Sequence, residues 1–195
     1  MIINGEKVEI WAEVKTKSKY GFVAKESWMD RFHIADQIGD RIAVHVDHEF
    51  DGSRDRIVQA KSLTDKEIIA KGWHKTDDDI QRSFDAGADY IWVVGRFSML
   101  KPDKLLIEPL HLREIQSIPS EYWVVWNARD LNTGKQRDKE QSFEKAREMW
   151  QGQLCQASFI KTVKDIKAGA NVILVGTYLP EFAESIRNYQ NPYFI

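Results

Sequence analysis

Short runs of β-branched and aromatic residues recur along the chain, each bounded by turn-forming positions, and eight of them have the length of strands. They cover residues 8–15, 41–47, 67–72, 90–96, 105–110, 122–128, 152–158 and 171–177. Several are continuously apolar, the pattern of strands covered on both faces. Between them the apolar spacing turns helical. A helix is predicted over 27–38, closing at Gly39, and another over 53–63, opening on Ser53 as N-cap. A third, over 76–86, opens on Thr76 and three aspartates that complement a helix N-terminus, and closes at Gly87. Residues 138–150 put Phe143, Ala146, Met149 and Trp150 on one face. Residues 160–168 close at Gly169, and 180–189 open on Pro180, suited to a first helical turn. The connections after strands four and five have room for only one or two helical turns.

Eight strand-then-helix units predict a single α/β domain over 1–195, a minimal (β/α)8 TIM barrel. An average unit of about 24 residues is close to the lower limit for that architecture. The alternative is an open doubly wound sheet, but no glycine-rich dinucleotide turn follows the first strand. The phrases Asp85-Ala86-Gly87-Ala88-Asp89 and Lys167-Ala168-Gly169-Ala170-Asn171 echo each other, each a helix end followed by a strand start.

Composition narrows the class. Lys+Arg number 28 against 30 Asp+Glu, a net charge of -2, which argues against a generic nucleic-acid binder. The single cysteine, Cys155, excludes an intrachain disulfide and suits a reducing compartment. No apolar run approaches the roughly 20 residues of a membrane helix, and residues 1–6 lack a signal-peptide pattern, so a cytoplasmic protein is expected. Seven tryptophans supply buried area without naming a function.

In such a barrel the chemistry sits at the C-terminal ends of the strands. Strand one carries Glu13 and Lys15 on one face, strand three Lys71 and strand five Glu108. Strand six ends in Asn127, followed by Arg129. Strand seven ends in Ser158, and strand eight in Gly176-Thr177. Lysine and glutamate are costly in strand interiors. Placed on several strands at one level, they form an acid/base constellation that shifts its own pKa values. The alternative is a ring of ion pairs holding the rim. The run Lys15-Thr16-Lys17-Ser18-Lys19 is either a phosphate loop or a solvated charge run. Gly176-Thr177 precede a helix and offer backbone N–H groups to an anion, or form a plain turn. His45 and Asp47 share a strand face but His48 does not, and no third ligand follows at the right spacing, so no metal site is assigned. Cys155 lies mid-strand without an activating partner, and Ser158 lacks a paired histidine.

These residues, in this order, resemble indole-3-glycerol phosphate synthase, a (β/α)8 barrel family of tryptophan biosynthesis. Trp11-Ala12-Glu13-Val14-Lys15 followed by Ser18 looks like the family's first strand and loop. Phe50-Asp51-Gly52-Ser53 is similar to its F-x-G-S turn, and Ile69-Ala70-Lys71-Gly72-Trp73 stands where the family has Lys-Asp-Phe. Ala86-Gly87-Ala88-Asp89 matches the fourth unit and Leu106-Ile107-Glu108 the fifth strand. Asn127-Ala128-Arg129-Asp130-Leu131 resembles its N-x-R-D-L motif, and residues 170–177 its last strand. The resemblance runs from about residue 8 to the end.

It implies closure of 1-(2-carboxyphenylamino)-1-deoxyribulose 5-phosphate to indole-3-glycerol phosphate, with loss of CO2 and water and without cofactor or metal. By the resemblance Lys71 protonates the sugar carbonyl. Glu108 and Lys15 serve dehydration, and Lys15 also holds the carboxylate. Glu13 and Asn127 position the lysine and the sugar hydroxyls. Ser18, Gly176 and Thr177 bind phosphate, Phe50, Trp73 and Leu131 line the slot for the aromatic ring, and Arg129 and Ser158 are further substrate-binding residues. The partner is then a small phosphorylated substrate, with neither nucleic acid nor membrane.

Some features depart from the family. Its N-terminal helical extension is expected to be absent, and the face so left open would suit a homo-oligomer. Ser-Pro-Ser reads Ser18-Lys19-Tyr20, with Lys19 a replacement phosphate ligand, and Glu-Ser-Gly reads Ala157-Ser158-Phe159. The unit between strands four and five is short. These changes keep two alternatives open: a non-catalytic barrel that binds a phosphorylated ligand, or another phosphosugar enzyme.

Overall fold

A computed structural model describes residues 1–3 and 5–190. Eight parallel strands close a barrel in consecutive order: β1 (Glu9–Val14), β2 (Arg41–His45), β3 (Ile68–Lys71), β4 (Tyr90–Val94), β5 (Leu105–Glu108), β6 (Trp123–Asn127), β7 (Leu154–Ala157) and β8 (Val172–Val175). β8 returns to pair with β1, Val172 opposite Glu9. Among the described residues six helices surround it: α1 (Trp28–Ile38), α2 (Arg54–Lys61), α3 (Asp77–Asp85), α4 (Leu112–Ile115), α5 (Phe143–Met149) and α6 (Leu179–Gln190). All eight expected strands form, each trimmed by a residue or two at its ends. A two-residue hairpin pair, Ile2–Ile3 with Glu6–Lys7, precedes β1. Among the described residues no helix is long and apolar enough to cross a membrane.

The two-residue period of the strands sorts the side chains. Ile10, Ala12 and Val14 of β1 face the helices, while Trp11 joins Ala43, Ile69, Trp92, Leu106 and Val125 inside the barrel. Continuing that inward row toward the C-terminal ends brings Glu13 above Trp11, His45 above Ala43 and Lys71 above Ile69. On the far wall Glu108 stands above Leu106, and Asn127 above Val125. The barrel is therefore apolar at mid-height and polar at its top. Its floor is closed by Arg41, whose guanidinium lies 4.7 Å from the Tyr90 ring centre and 5.5 Å from that of Trp123. Glu9 and Glu67 each pair with it at 2.6 Å.

The echo between the two Ala-Gly-Ala phrases has a structural cause. Asp89 and Asn171 stand immediately before β4 and β8. Each accepts the first N–H of the preceding strand, Ile68 at 2.7 Å and Leu154 at 2.9 Å, and returns its own N–H to that residue's carbonyl. Asp40, before β2, does the same with Ile10. Three strand pairs are thus stapled alike at their lower ends.

The helices follow the sequence less closely. Ser27 and Thr76 cap α1 and α3 in reciprocal boxes with Asp30 and Asp79. Ser53 holds the N-cap position of α2, but its hydroxyl makes no capping bond. The helix expected over 138–150 is broken: a 3-10 turn, Lys139–Gln141, is followed by extended Ser142, which caps the shorter α5. The helix expected over 160–168 is absent and only a 3-10 turn, Val163–Asp165, remains. β-Branched Ile160, Thr162, Val163 and Ile166 disfavour a longer helix. Gln156 of β7 instead binds the segment, donating to Asp165 O and accepting from Lys167 N, both at 2.9 Å. After β4 there is likewise a single 3-10 turn, Pro102–Lys104, and the Tyr122 hydroxyl secures that connection at Ser98 O, 2.8 Å away. After β5 stands the one-turn α4, as the short connection required.

Candidate functional site

Glu13 is the centre of the polar layer. Its side chain is buried, and its Oε1 lies 2.7 Å from Lys71 Nζ and 2.8 Å from His45 Nε2, while Oε2 lies 2.8 Å from Lys15 Nζ. Burial alone would raise the carboxyl's pKa, but the Lys15 and Lys71 ammonium groups override it and hold Glu13 well below the usual carboxylate range. Burial pushes Lys15 down, with Lys71 and Arg129 acting in the same sense and Glu13 against them. Two ammonium groups thus share one ionised carboxylate.

Across the barrel Glu108 is equally buried. It accepts from Trp92 Nε1 at 2.5 Å and from Asn127 Nδ2 at 2.9 Å. Its pKa is raised by burial, against the pull of Lys71 and of those two donors. Trp92 joins the halves, because Lys71 Nζ also sits 4.7 Å from its ring centre. One carboxyl has its proton affinity lowered and the other has it raised, with an ammonium group between them. That is the arrangement acid/base chemistry needs.

Above this layer opens a cavity of about 310 Å³, joined to a smaller polar niche. Each of the thirteen residues given a catalytic or substrate-binding part by the resemblance borders one or both. Lys15, Lys71, Arg129, Ser158 and Thr177 border both; Ser18, Phe50, Trp73, Glu108, Asn127 and Leu131 only the larger; Glu13 and Gly176 only the niche. Ser18 and Thr177 share the larger cavity while Gly176 faces the niche, and the Ser18 hydroxyl accepts the Tyr20 N–H at 3.3 Å. Lys19 borders neither space, lying over the Tyr20 and Trp73 rings at 5.4 and 5.7 Å. Of the basic run only Lys15 reaches the niche.

Ser158 and Phe159 both adopt left-handed backbone, φ 70° and 57°. Phe159 holds the position where the resembled family has glycine, so the glycine-like conformation is kept at the cost of strain in a bulky residue. Its ring packs on Arg129, whose guanidinium lies 4.5 Å from Phe159 and 5.3 Å from Tyr20. Tyr20 rises on a small hairpin after β1, closed by the Lys17–Val23 bridge, and crosses the mouth to the loop after β6. There its hydroxyl donates to Leu131 O at 2.7 Å, and its ring lies on Gly134, where any side chain would collide with it. Burial raises the phenol to about 12, so it stays protonated and able to donate.

Several contributors carried no sequence signal of their own. In sequence His45 and Asp47 point only to metal ligation, and the structure uses the two separately. His45 faces Glu13, whereas Asp47 accepts the Trp73 N–H at 3.0 Å and fixes the loop after β3. Among the described residues no group of three or more His, Cys, Asp or Glu side chains is placed to hold a metal ion. His45 stands opposite Lys71 in register on β2, which places it at the level of the charged layer. Cys155 is a packed interior thiol that burial pushes well above its ordinary pKa. No family model matches the chain, and no curated protein matches it.

Proposed function

We propose that this barrel is a lyase of the indole-3-glycerol phosphate synthase type, closing 1-(2-carboxyphenylamino)-1-deoxyribulose 5-phosphate to indole-3-glycerol phosphate, CO2 and water. The observation that carries the reading is the pair Lys71 and Lys15 on Glu13, facing Glu108 across one enclosed space. Lys71 gives a proton to the sugar carbonyl oxygen as the ring carbon bearing the carboxylate attacks the carbonyl carbon. The carboxylate then departs as CO2, restoring the aromatic ring. Lys15 protonates the departing hydroxyl, which leaves as water, and Glu108 takes up the proton released as the indole double bond forms. Groups of this kind contribute about 10²- to 10⁴-fold each. Asn127 and Glu13 set the geometry. Phe50, Trp73 and Leu131 hold the aromatic end, and the niche of Ser158, Gly176 and Thr177 takes the phosphate, with Arg129 between the two spaces. The reading brings with it a cytoplasmic protein that uses no cofactor.

Adding the substrate to folded protein should generate indole fluorescence at a rate proportional to enzyme. A folded protein that yields no product would reject the reading. A second reading, a barrel that binds the phosphorylated ligand without turnover, is favoured by one feature: β7 ends in Ala157 and Phe159, where the family places a glutamate and a glycine. Tight binding without fluorescence would select it.

A further inference from the structure

Glu13 Oε1 has two nitrogen neighbours at nearly equal distance, Lys71 Nζ at 2.7 Å and His45 Nε2 at 2.8 Å. Only the lysine is aligned to donate; among the described residues neither ring nitrogen of His45 has an aligned hydrogen-bond partner. Yet His45 is 5% exposed and lies flat on Phe50, ring centres 4.2 Å apart and planes 7° apart. A buried imidazole with no partner is uncommon and needs a reason. Burial keeps the ring neutral, its pKa down at about 4, so it carries one N–H. An unprotonated Nε2 would press its lone pair against a carboxylate oxygen, so the proton belongs on Nε2. The charged groups facing it are Glu13 and Lys15 from β1 and Lys71 from β3.

The arrangement makes sense once Lys71 moves. To protonate a substrate, Lys71 must turn away from Glu13. The buried carboxylate would then keep Lys15 on Oε2 and lose its only aligned donor on Oε1. The imidazole can turn in its own plane across the flat face of Phe50 without giving up that contact. We propose that His45 is a positioning residue that donates its Nε2 hydrogen bond to Glu13 Oε1 when Lys71 leaves, keeping the carboxylate charged and in place. The inference rests on the proposed reaction for its occasion, but its geometry can be tested without substrate.

Lys71→Met imitates the departure. With isotope-labelled histidine, the His45 Nε2 proton should shift downfield in this variant and exchange with water at least about ten-fold more slowly than in the native protein. An unchanged resonance would overturn the proposal whatever the activity. In the ring-closure assay His45→Leu should lower kcat by about 10- to 100-fold with KM within about three-fold. His45→Gln, which keeps an N–H at similar reach, should recover most of that loss. A glutamine variant as slow as the leucine one, or a leucine variant as fast as native, would also overturn it. Native protein that closes no ring would remove the reading of the preceding subsection and leave the resonance measurement decisive for this one.

Discussion

Gly176 and Glu13 contend for one volume. A Cβ on Gly176 would stand 1.8 Å from Glu13 Oε2, so a carboxylate on β1 dictates the residue that follows β8. The resemblance implied a phosphate-binding part for Gly176; packing adds another, clearing the space where Glu13 meets its lysines. Gly176→Ala should cost about 1–3 kcal/mol in urea unfolding and stop ring closure together, because the methyl must displace Glu13. Lys71→Ala should behave differently. Glu13 keeps Lys15 and gains room for His45, so the circular dichroism spectrum should stay native while turnover falls at least about 100-fold. Loss of the fold instead would mark a structural lysine. Glu13, Lys15, Lys71 and Glu108 were legible in the sequence because a charge within a strand pattern is costly without a purpose. His45 was not, since a neutral ring sends no such warning. Nor was the stacking of Arg129 between Tyr20 and Phe159, which joins three separate loops and leaves no local trace.

The two connections that lack an α-helix show how elements substitute for one another. A strand's outer face is normally sealed by the helix that follows it. After β7 the seal is a loop, and Gln156, pointing outward from the strand, satisfies one backbone carbonyl and one N–H of that loop. Gln156→Leu should leave both groups without that partner in a half-buried setting and lower stability by about 1 kcal/mol, read from the urea midpoint. Tyr122→Phe, which releases Ser98 O, should cost about 1 kcal/mol. A midpoint unmoved in both variants would show that the loops hold by apolar contact alone. The strands were legible because their two-residue period is set by burial on both sides. The helix over 160–168 was misread because apolar spacing alone does not report that a neighbouring glutamine will claim the backbone.

For the molecule as a whole, acid is the revealing stress. His45 and His74 are buried and neutral, both held below their ordinary pKa of 6.5 by burial. His74 donates from Nδ1 to Trp92 O and accepts at Nε2 from Ser83. Below pH 6.5 the unfolded chain takes up protons that the folded one refuses, so stability is complete above that value and declines toward the folded pKa, about 4 for His45. Over that window His45 alone accounts for on the order of 3 kcal/mol. Glu13, held low, adds a loss of the same sign below the ordinary carboxyl pKa of 4.5. Glu108, raised, acts in the opposite sense, its contribution fading as pH climbs through its folded pKa. With the opposing carboxyl removed by Glu108→Gln, the urea midpoint should rise between about pH 4 and 6.5 and level off beyond; a flat profile in that variant would refute the assignment of neutral buried histidines. The consecutive strand order has a kinetic corollary. Seven of the eight pairings join units adjacent in the chain, and only the β8–β1 seam unites residues as remote as 9 and 172. That seam closes the longest loop of the eight, and so carries the largest single closure cost, although the excess over an adjacent pairing grows only with the logarithm of loop length. It is the joint expected to zip last during refolding, and the one a circular permutant would relocate.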